Sequence, residues 1–192
     1  MIGSVPLRTG LVVVLGVLFQ VCLFSTTPVF GVIPDAVLLT TIGVALAGGP
    51  ERGAIAGFAG GLLVDVTLTT PFGLSALVGA STGYVVGGLQ HTVLGSTWWT
   101  PLVVAGLASS AATLAYAALG ALLGNLDWIA PRTLVVAVGV GLLNAVLAVV
   151  VLPVCRWSQG EPLGLERLRV PSFLADRRRS GGRRRRRPRG AW

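Results

Sequence analysis

The chain has few charged residues for its length, and lysine is missing altogether. Of its 192 residues, 11% are charged and 53% are hydrophobic, and the mean hydropathy is +0.81. A chain of this composition lacks the polar surface that a water-soluble domain needs. The composition therefore excludes a soluble protein and predicts an integral membrane protein.

Residues that carry catalysis or bind metals are also scarce. The lone histidine, His91, has no companion ligands at metal-binding spacing. No Ser/His/Asp set or Cys/His pair is present, and Asp65 lacks the Gly-x-Gly-Asp sequence that intramembrane aspartyl proteases share. Cys22 and Cys155 fall at different membrane depths, which excludes a disulfide. The sequence thus predicts no enzymatic activity, no metal and no cofactor.

The apolar residues form six segments separated by short connections. No small-residue cleavage site follows the first segment, so it is predicted to be an uncleaved span. Pro34 is predicted at the first helical position of the second segment. The fold class is an all-α membrane protein with a six-span domain over residues 1–155 and a disordered tail over 156–192. The predicted spans are residues 11–24, 34–47, 53–68, 74–89, 102–123 and 134–152.

The arginines predict the orientation of these spans. Arg8, Arg52 and the tail fall on one side of a six-span topology, and Arg132 falls on the other. By the positive-inside rule both termini lie on the cytoplasmic side of the membrane. Beside that membrane, anionic lipids are a simpler partner for the tail than nucleic acid, which we do not expect to bind. The lipid-facing residues are Arg177, Arg178, Arg179, Arg183, Arg184, Arg185, Arg186 and Arg187.

Glycines recur at four-residue spacing in two of the predicted spans. Residues four apart lie on one side of a helix, so each row forms a groove that a neighbouring backbone can approach closely. The sequence therefore predicts close helix packing at both rows. The residues assigned to this packing are Gly53, Gly57, Phe58 and Gly61 in the third span, and Gly79, Gly83 and Gly87 in the fourth.

Four polar residues in or beside the spans form the candidate site, with either a structural or a partner-binding role. Asp35 lies in a first helical turn, where the helix dipole favours a carboxylate, and both roles stay open. Asp65 lies at an unfavourable carboxyl end, so we expect a pair with Arg132 or, as a second hypothesis, a partner's polar group. Asn144, in mid-span, is expected to bond across helices, with a ligand contact as the lesser alternative.

One ordered series of motifs extends over about residues 30 to 90: Pro34-Asp35, the 50–53 turn, Gly57-Phe58, Gly61-Leu62, Asp65, the segment 71–77 (PFGLSAL) and Gly83-Tyr84. Together these motifs resemble the rod shape-determining protein MreD family. The resemblance implies a non-catalytic scaffold in the bacterial plasma membrane that binds MreC and works with the MreB cytoskeleton, RodA and a class B penicillin-binding protein. Its implied role is the control of lateral peptidoglycan synthesis and cell shape.

The same resemblance implies a fold like the substrate-binding subunits of energy-coupling-factor vitamin transporters. That kinship supplies the alternative function, a small-molecule-binding subunit of a membrane transporter. Such a subunit is expected to gather polar residues into one pocket. The spans offer few polar residues beyond the four above, so the sequence favours the scaffold.

The predicted topology can be tested by labelling single cysteines in a background without Cys22 and Cys155. We expect a cysteine at Asn125 to react with an impermeant reagent outside intact cells, and a cysteine at Ser96 to be protected. Membrane permeabilisation should expose the Ser96 position and serves as the control. Labelling of Ser96 in intact cells would contradict the six-span topology.

Overall fold

The protein folds as a bundle of helices. The computed structural model describes residues 4–24, 33–67, 72–94, 97, 99–124 and 130–160, which all belong to the unit Met1–Glu161. Within those residues the fold is almost entirely helical and contains no strand. The helices are α1 (Ser4–Phe19), which continues into a π-helical turn (Gln20–Phe24), α2 (Ala36–Gly48), α3 (Pro50–Asp65), α4 (Leu74–Gly88), α5 (Gln90–Leu94), α6 (Thr100–Leu122) and α7 (Pro131–Ser158).

Three segments of the described chain are long and apolar enough to cross a membrane: Val5–Cys22, Thr100–Leu122 and Pro131–Ser158. They make the chain an all-α membrane protein. Helices α2, α3 and α4 have 13, 16 and 15 residues. At about 1.5 Å per residue they are shorter than the hydrocarbon core of about 30 Å. They cross it only where the bilayer thins or where residues beyond the helix ends join the span.

Helices occupy all six predicted segments, but several boundaries differ from the prediction. Pro34 precedes α2 instead of opening it, because Asp35 is the N-cap. The turn predicted at 50–52 is the first turn of α3, and the reversal lies at Gly49, whose φ of 92° suits glycine. The predicted connection after residue 89 contains the short helix α5. Helix α7 continues to Ser158, beyond the predicted end of the membrane domain at residue 155.

Helix α2 forms the core of the bundle. Every residue from 36 to 46 is buried, and α1, α3, α4, α6 and α7 all contact this helix. Such burial suits a helix that is apolar on all sides, as α2 is, with only Thr40 and Thr41 as polar side chains. Both threonine hydroxyls donate within α2, to the carbonyl oxygens of Ala36 and Val37. The core helix therefore adds no unpaired hydroxyl proton to the interior.

Helices α3 and α4 touch backbone to backbone along the two predicted glycine rows. A Cβ atom added at Gly53 would lie 2.6 Å from the carbonyl oxygen of Gly83, and one added at Gly79 would lie 2.6 Å from that of Gly57. Further along, a Cβ at Gly61 would lie 2.5 Å from the carbonyl oxygen of Ser75, and Gly87 faces Pro50 in the same way. Only glycine allows two helix backbones to come this close, so the predicted close packing is confirmed. The glycine row of α3 packs against the glycine row of α4.

Phe58 does not belong to this packing, although the sequence assigned it there. Its side chain is 53% exposed, on the outer face of α3. Phe58 follows Gly57 directly, and one residue turns a helix by about 100°, so the ring points away from the groove. Other apolar residues of α3 and α4 are exposed as well, including Ile55, Tyr84 and Val85.

A polar cluster joins three helix ends at one end of the bundle. Arg52 at the start of α3 donates to the Gln159 side-chain oxygen at 3.0 Å, just after α7. The Gln159 amide nitrogen donates to the Thr9 hydroxyl in α1 at 2.8 Å. Arg8 lies over the Trp157 ring, 5.1 Å from its centroid. Arg8 and Arg52 thus share one end of the bundle, as the predicted topology requires. Asp35, before α2, and Asp65, at the end of α3, both lie at the other end.

The contact between α3 and α4 predicts that substitution of one glycine lowers stability, whereas substitution of its neighbour does not. Gly87→Ala places a methyl group against Pro50 and should lower the free energy of unfolding by about 1–3 kcal/mol through overpacking. Gly88→Ala is the matched control, since no atom lies within 4 Å of its added Cβ. Thermal unfolding in detergent should show a lower midpoint for Gly87→Ala and for Gly79→Ala only. Equal midpoints for all three variants would contradict the close contact.

Candidate functional site

Asp65 lies where α3 ends and the chain turns into α4, at the end of the bundle opposite the polar cluster of Arg8 and Arg52. Its side chain is 2% exposed. One carboxylate oxygen accepts from the backbone N–H groups of Gly73 at 2.9 Å and Ala76 at 3.3 Å, and the other accepts from Ser75 at 3.2 Å. The first N–H groups of a helix have no partner within it, and they attract negative charge. Asp65 therefore stabilises the start of α4.

The expected pair between Asp65 and Arg132 is wrong. Arg132 is exposed in the first turn of α7, and within the described residues it forms no ion pair with Asp65. The prediction weighed only the dipole of α3, at whose carboxyl end the aspartate lies. The positive end of α4 replaces the arginine, because the chain turns back and brings the start of α4 against the end of α3.

Asp35 is the N-cap of α2, which bears out the structural reading of this residue. Its carboxylate accepts from the Leu38 N–H at 2.8 Å. A second side chain assists it, since the Gln20 amide oxygen accepts from the Ala36 N–H at 2.7 Å. Gln20 is the one polar side chain in the first apolar run, and that isolation was the signal that could have identified it. Two side chains thus satisfy the buried start of the core helix.

Asn144 forms the predicted clasp between helices. Its amide nitrogen donates to the Asp35 carbonyl oxygen at 3.2 Å and to the Ser109 hydroxyl oxygen at 2.9 Å. These contacts tie α7 to the start of α2 and to α6, and the Asn144 side chain is fully buried. Its Oδ1 atom has no hydrogen-bond partner. A buried acceptor without a donor lowers stability, so Oδ1 contributes nothing favourable here. The two hydrogen bonds donated by the amide nitrogen are the contacts that hold the Asn144 side chain.

A cavity of about 510 Å³ lies beside the start of α2. Its walls come from the π-helical turn, α2, α6 and α7, and from the adjoining ends of α3 and α4. Asp35 lines it, whereas Asp65, Asn144 and Arg132 do not. The volume falls within the range of about 300–1,000 Å³ that is typical of small-molecule sites. Its polar lining consists of Gln20, Asp35, Thr41, Thr67, Ser75, Thr113 and Tyr116.

This cavity corrects the expectation that the spans hold too few polar residues for a pocket. That expectation considered charged and amide side chains and left out the hydroxyls. Hydroxyl residues are common in apolar helices, where they bond to their own backbone, so their spacing in the sequence gave no sign of a shared cavity. Folding brings hydroxyls from three helices, α2, α4 and α6, and from the segment after α3 to the same volume. Of the four predicted polar residues, only Asp35 joins them.

The other residues considered in the sequence analysis either lie outside the described residues or take no part in the candidate site. The tail arginines, Arg177 to Arg179 and Arg183 to Arg187, lie beyond residue 160 and outside the described residues. Cys22 is exposed and Cys155 is buried, and both are free thiols. The absence of a disulfide between them is therefore confirmed. His91 is exposed on α5, next to Gln90.

The amide contacts of Asp65 lead to a prediction about its substitution. Asp65→Ala should lower the free energy of unfolding by about 2–3 kcal/mol, since a hydrogen bond to a charged group contributes about 1.5–3 kcal/mol. Arg132→Ala should be close to neutral, and the double variant should match Asp65→Ala. Thermal unfolding of the three purified variants in detergent tests this, and recovery of stability in the double variant would restore the rejected ion pair.

No family model, no curated protein and no solved structure matches the chain. The contacts above are therefore the structural basis for assigning a function.

Proposed function

We propose that the chain is a non-catalytic membrane scaffold of the rod-shape elongation machinery, similar to the MreD family. In this role it binds MreC and acts with RodA, a class B penicillin-binding protein and the MreB cytoskeleton to control lateral peptidoglycan synthesis. The proposal places six spans in the bacterial plasma membrane, with both termini cytoplasmic and the arginine tail near anionic lipids. It includes a fold like the substrate-binding subunits of energy-coupling-factor transporters.

One observation carries this proposal: most of the residues behind the resemblance assemble into a single hairpin. The turn before α3, the glycine row and Asp65 pack against the start of α4 and its own glycines. A hairpin with backbone contact on its inner side presents its outer side as a fixed surface. That surface is apolar and includes Ile55, which is 69% exposed, Phe58 and Val85. It suits a partner's membrane helix.

The polar contacts also support a role without catalysis. An aspartyl mechanism requires two carboxylates that share a proton and activate water. Asp35 and Asp65 instead accept from the first N–H groups of two different helices, α2 and α4. Each carboxylate therefore holds the start of a different helix.

A second candidate function, the small-molecule-binding subunit of a transporter, is favoured by the cavity beside α2. The cavity has the size of a ligand site and combines an apolar wall with a carboxylate and several hydroxyls. A scaffold does not require such a volume. Ligand binding and scaffolding use different residues of the bundle, since Ile55, Phe58 and Val85 of the hairpin surface do not line the cavity.

Affinity purification of the tagged chain from a mild detergent extract, followed by mass spectrometry, tests the scaffold proposal. We expect MreC and synthase components in the eluate. Phe58→Ala should reduce MreC recovery by about tenfold, as loss of an aromatic anchor does at interfaces. Leu142→Ala, on the exposed face of α7, is the control and should leave recovery unchanged. An eluate with an ATPase module and no MreC would reject the scaffold and favour the transporter.

A further inference from the structure

Three of the hydroxyl groups around the cavity have already used their protons. Thr41 donates to the Val37 carbonyl oxygen at 2.9 Å, Thr113 donates to that of Ser109 at 2.9 Å, and Thr67 donates to that of Val64 at 2.8 Å. Each hydroxyl keeps an oxygen with free acceptor capacity. These three positions therefore offer acceptors to a ligand and not donors.

Asp35 adds negative charge to this acceptor-rich lining. One of its oxygens accepts from the Leu38 N–H, and the described residues offer the carboxylate no basic side chain. Among the described residues that line the cavity, it is the one charged residue. A carboxylate in apolar surroundings is stabilised by a cation that can also hydrogen-bond to it. The charge and the hydroxyl acceptors thus favour the same kind of ligand, a cationic donor.

The size and the apolar part of the lining limit this cation further. A bare metal ion needs several oxygen ligands at about 2–2.6 Å, and one carboxylate in a volume of about 510 Å³ does not supply that shell. Apolar side chains such as Leu38, Val78 and Val140 make up much of the remaining wall. They suit a hydrocarbon body attached to the charged group.

From these observations we infer that the cavity binds an organic ammonium, with the ammonium group at Asp35 and its apolar body against the aliphatic wall. This inference rests on the second candidate function, ligand binding, and is independent of the scaffold proposal. Two sources share this chemistry: a free alkylamine and the primary ammonium of a phospholipid headgroup.

Three probes of equal chain length test the ligand class with the whole chain in dodecyl maltoside micelles. Isothermal titration calorimetry compares butylammonium, butan-1-ol and butyrate. We expect butylammonium to bind at least about tenfold more tightly than either of the others, the contribution of one charge-assisted hydrogen bond. Tighter binding of butanol or butyrate would overturn the ammonium assignment while leaving a ligand cavity. Binding of no probe would overturn this inference, and the purification experiment would still decide the scaffold.

Two variants assign the binding to named residues. Asp35→Asn removes the charge but keeps a good N-cap, so the fold is retained and butylammonium affinity should fall about tenfold. Thr113→Val removes one acceptor and should weaken binding less. Ser81→Ala, on the exposed face of α4 outside the cavity, is the control and should change nothing. Unchanged affinity in Asp35→Asn would contradict the inference, because binding would then not involve the carboxylate.

Competition separates the two sources of ammonium. Dihexanoyl phosphatidylethanolamine carries a primary ammonium, whereas dihexanoyl phosphatidylglycerol has the same chains without it. Displacement of butylammonium by the first lipid alone would support a lipid headgroup as the ligand. If neither lipid displaces it, a free amine is supported. Equal displacement by both lipids would overturn recognition of the ammonium, because their acyl chains would then account for the binding.

Discussion

The close approach of α3 and α4 is the constraint on which the end of the bundle around Asp65 depends. Glycines face backbone carbonyls at successive turns of both helices, so the pair has one antiparallel register. Any side chain at these positions would force the backbones apart. The same register brings the end of α3 to the start of α4, within hydrogen-bonding reach of Asp65. The burial of a carboxylate is thus a consequence of the glycine contact, and its charge is offset by amide donors.

The start of the buried helix α2 presents a second problem of the same kind. Its unpaired N–H groups lie inside the bundle, where water does not satisfy them. Asp35 and Gln20 accept from these groups, and Asn144 donates to the Asp35 carbonyl oxygen. Side chains from α2's own cap, the π-helical turn and α7 therefore meet at one point. The cavity lies beside this point, and three of its threonine hydroxyls have committed their protons to backbone carbonyls.

The two ends of the bundle differ in chemistry. At one end Arg8 contacts Trp157 and Arg52 contacts Gln159, and these contacts join α1 and α3 to the end of α7. At the other end lie two carboxylates that hold helix starts. The paired arginines and the two helix-start carboxylates therefore lie at opposite ends of the described bundle. The predicted orientation rests on the distribution of the arginines.

The sequence by itself determined the membrane class, the positions of the helices and the glycine rows, because composition and four-residue spacing are local properties of the chain. It also anticipated the Asn144 clasp, since a mid-span amide needs a partner on another helix. It placed Phe58 in the packing and paired Asp65 with Arg132, and both assignments were wrong. Only the tertiary structure decided that α2 is the core, that the start of α4 binds Asp65, and that dispersed hydroxyls share a cavity. These features depend on which helices become neighbours, and that choice is made by packing between segments distant in the chain.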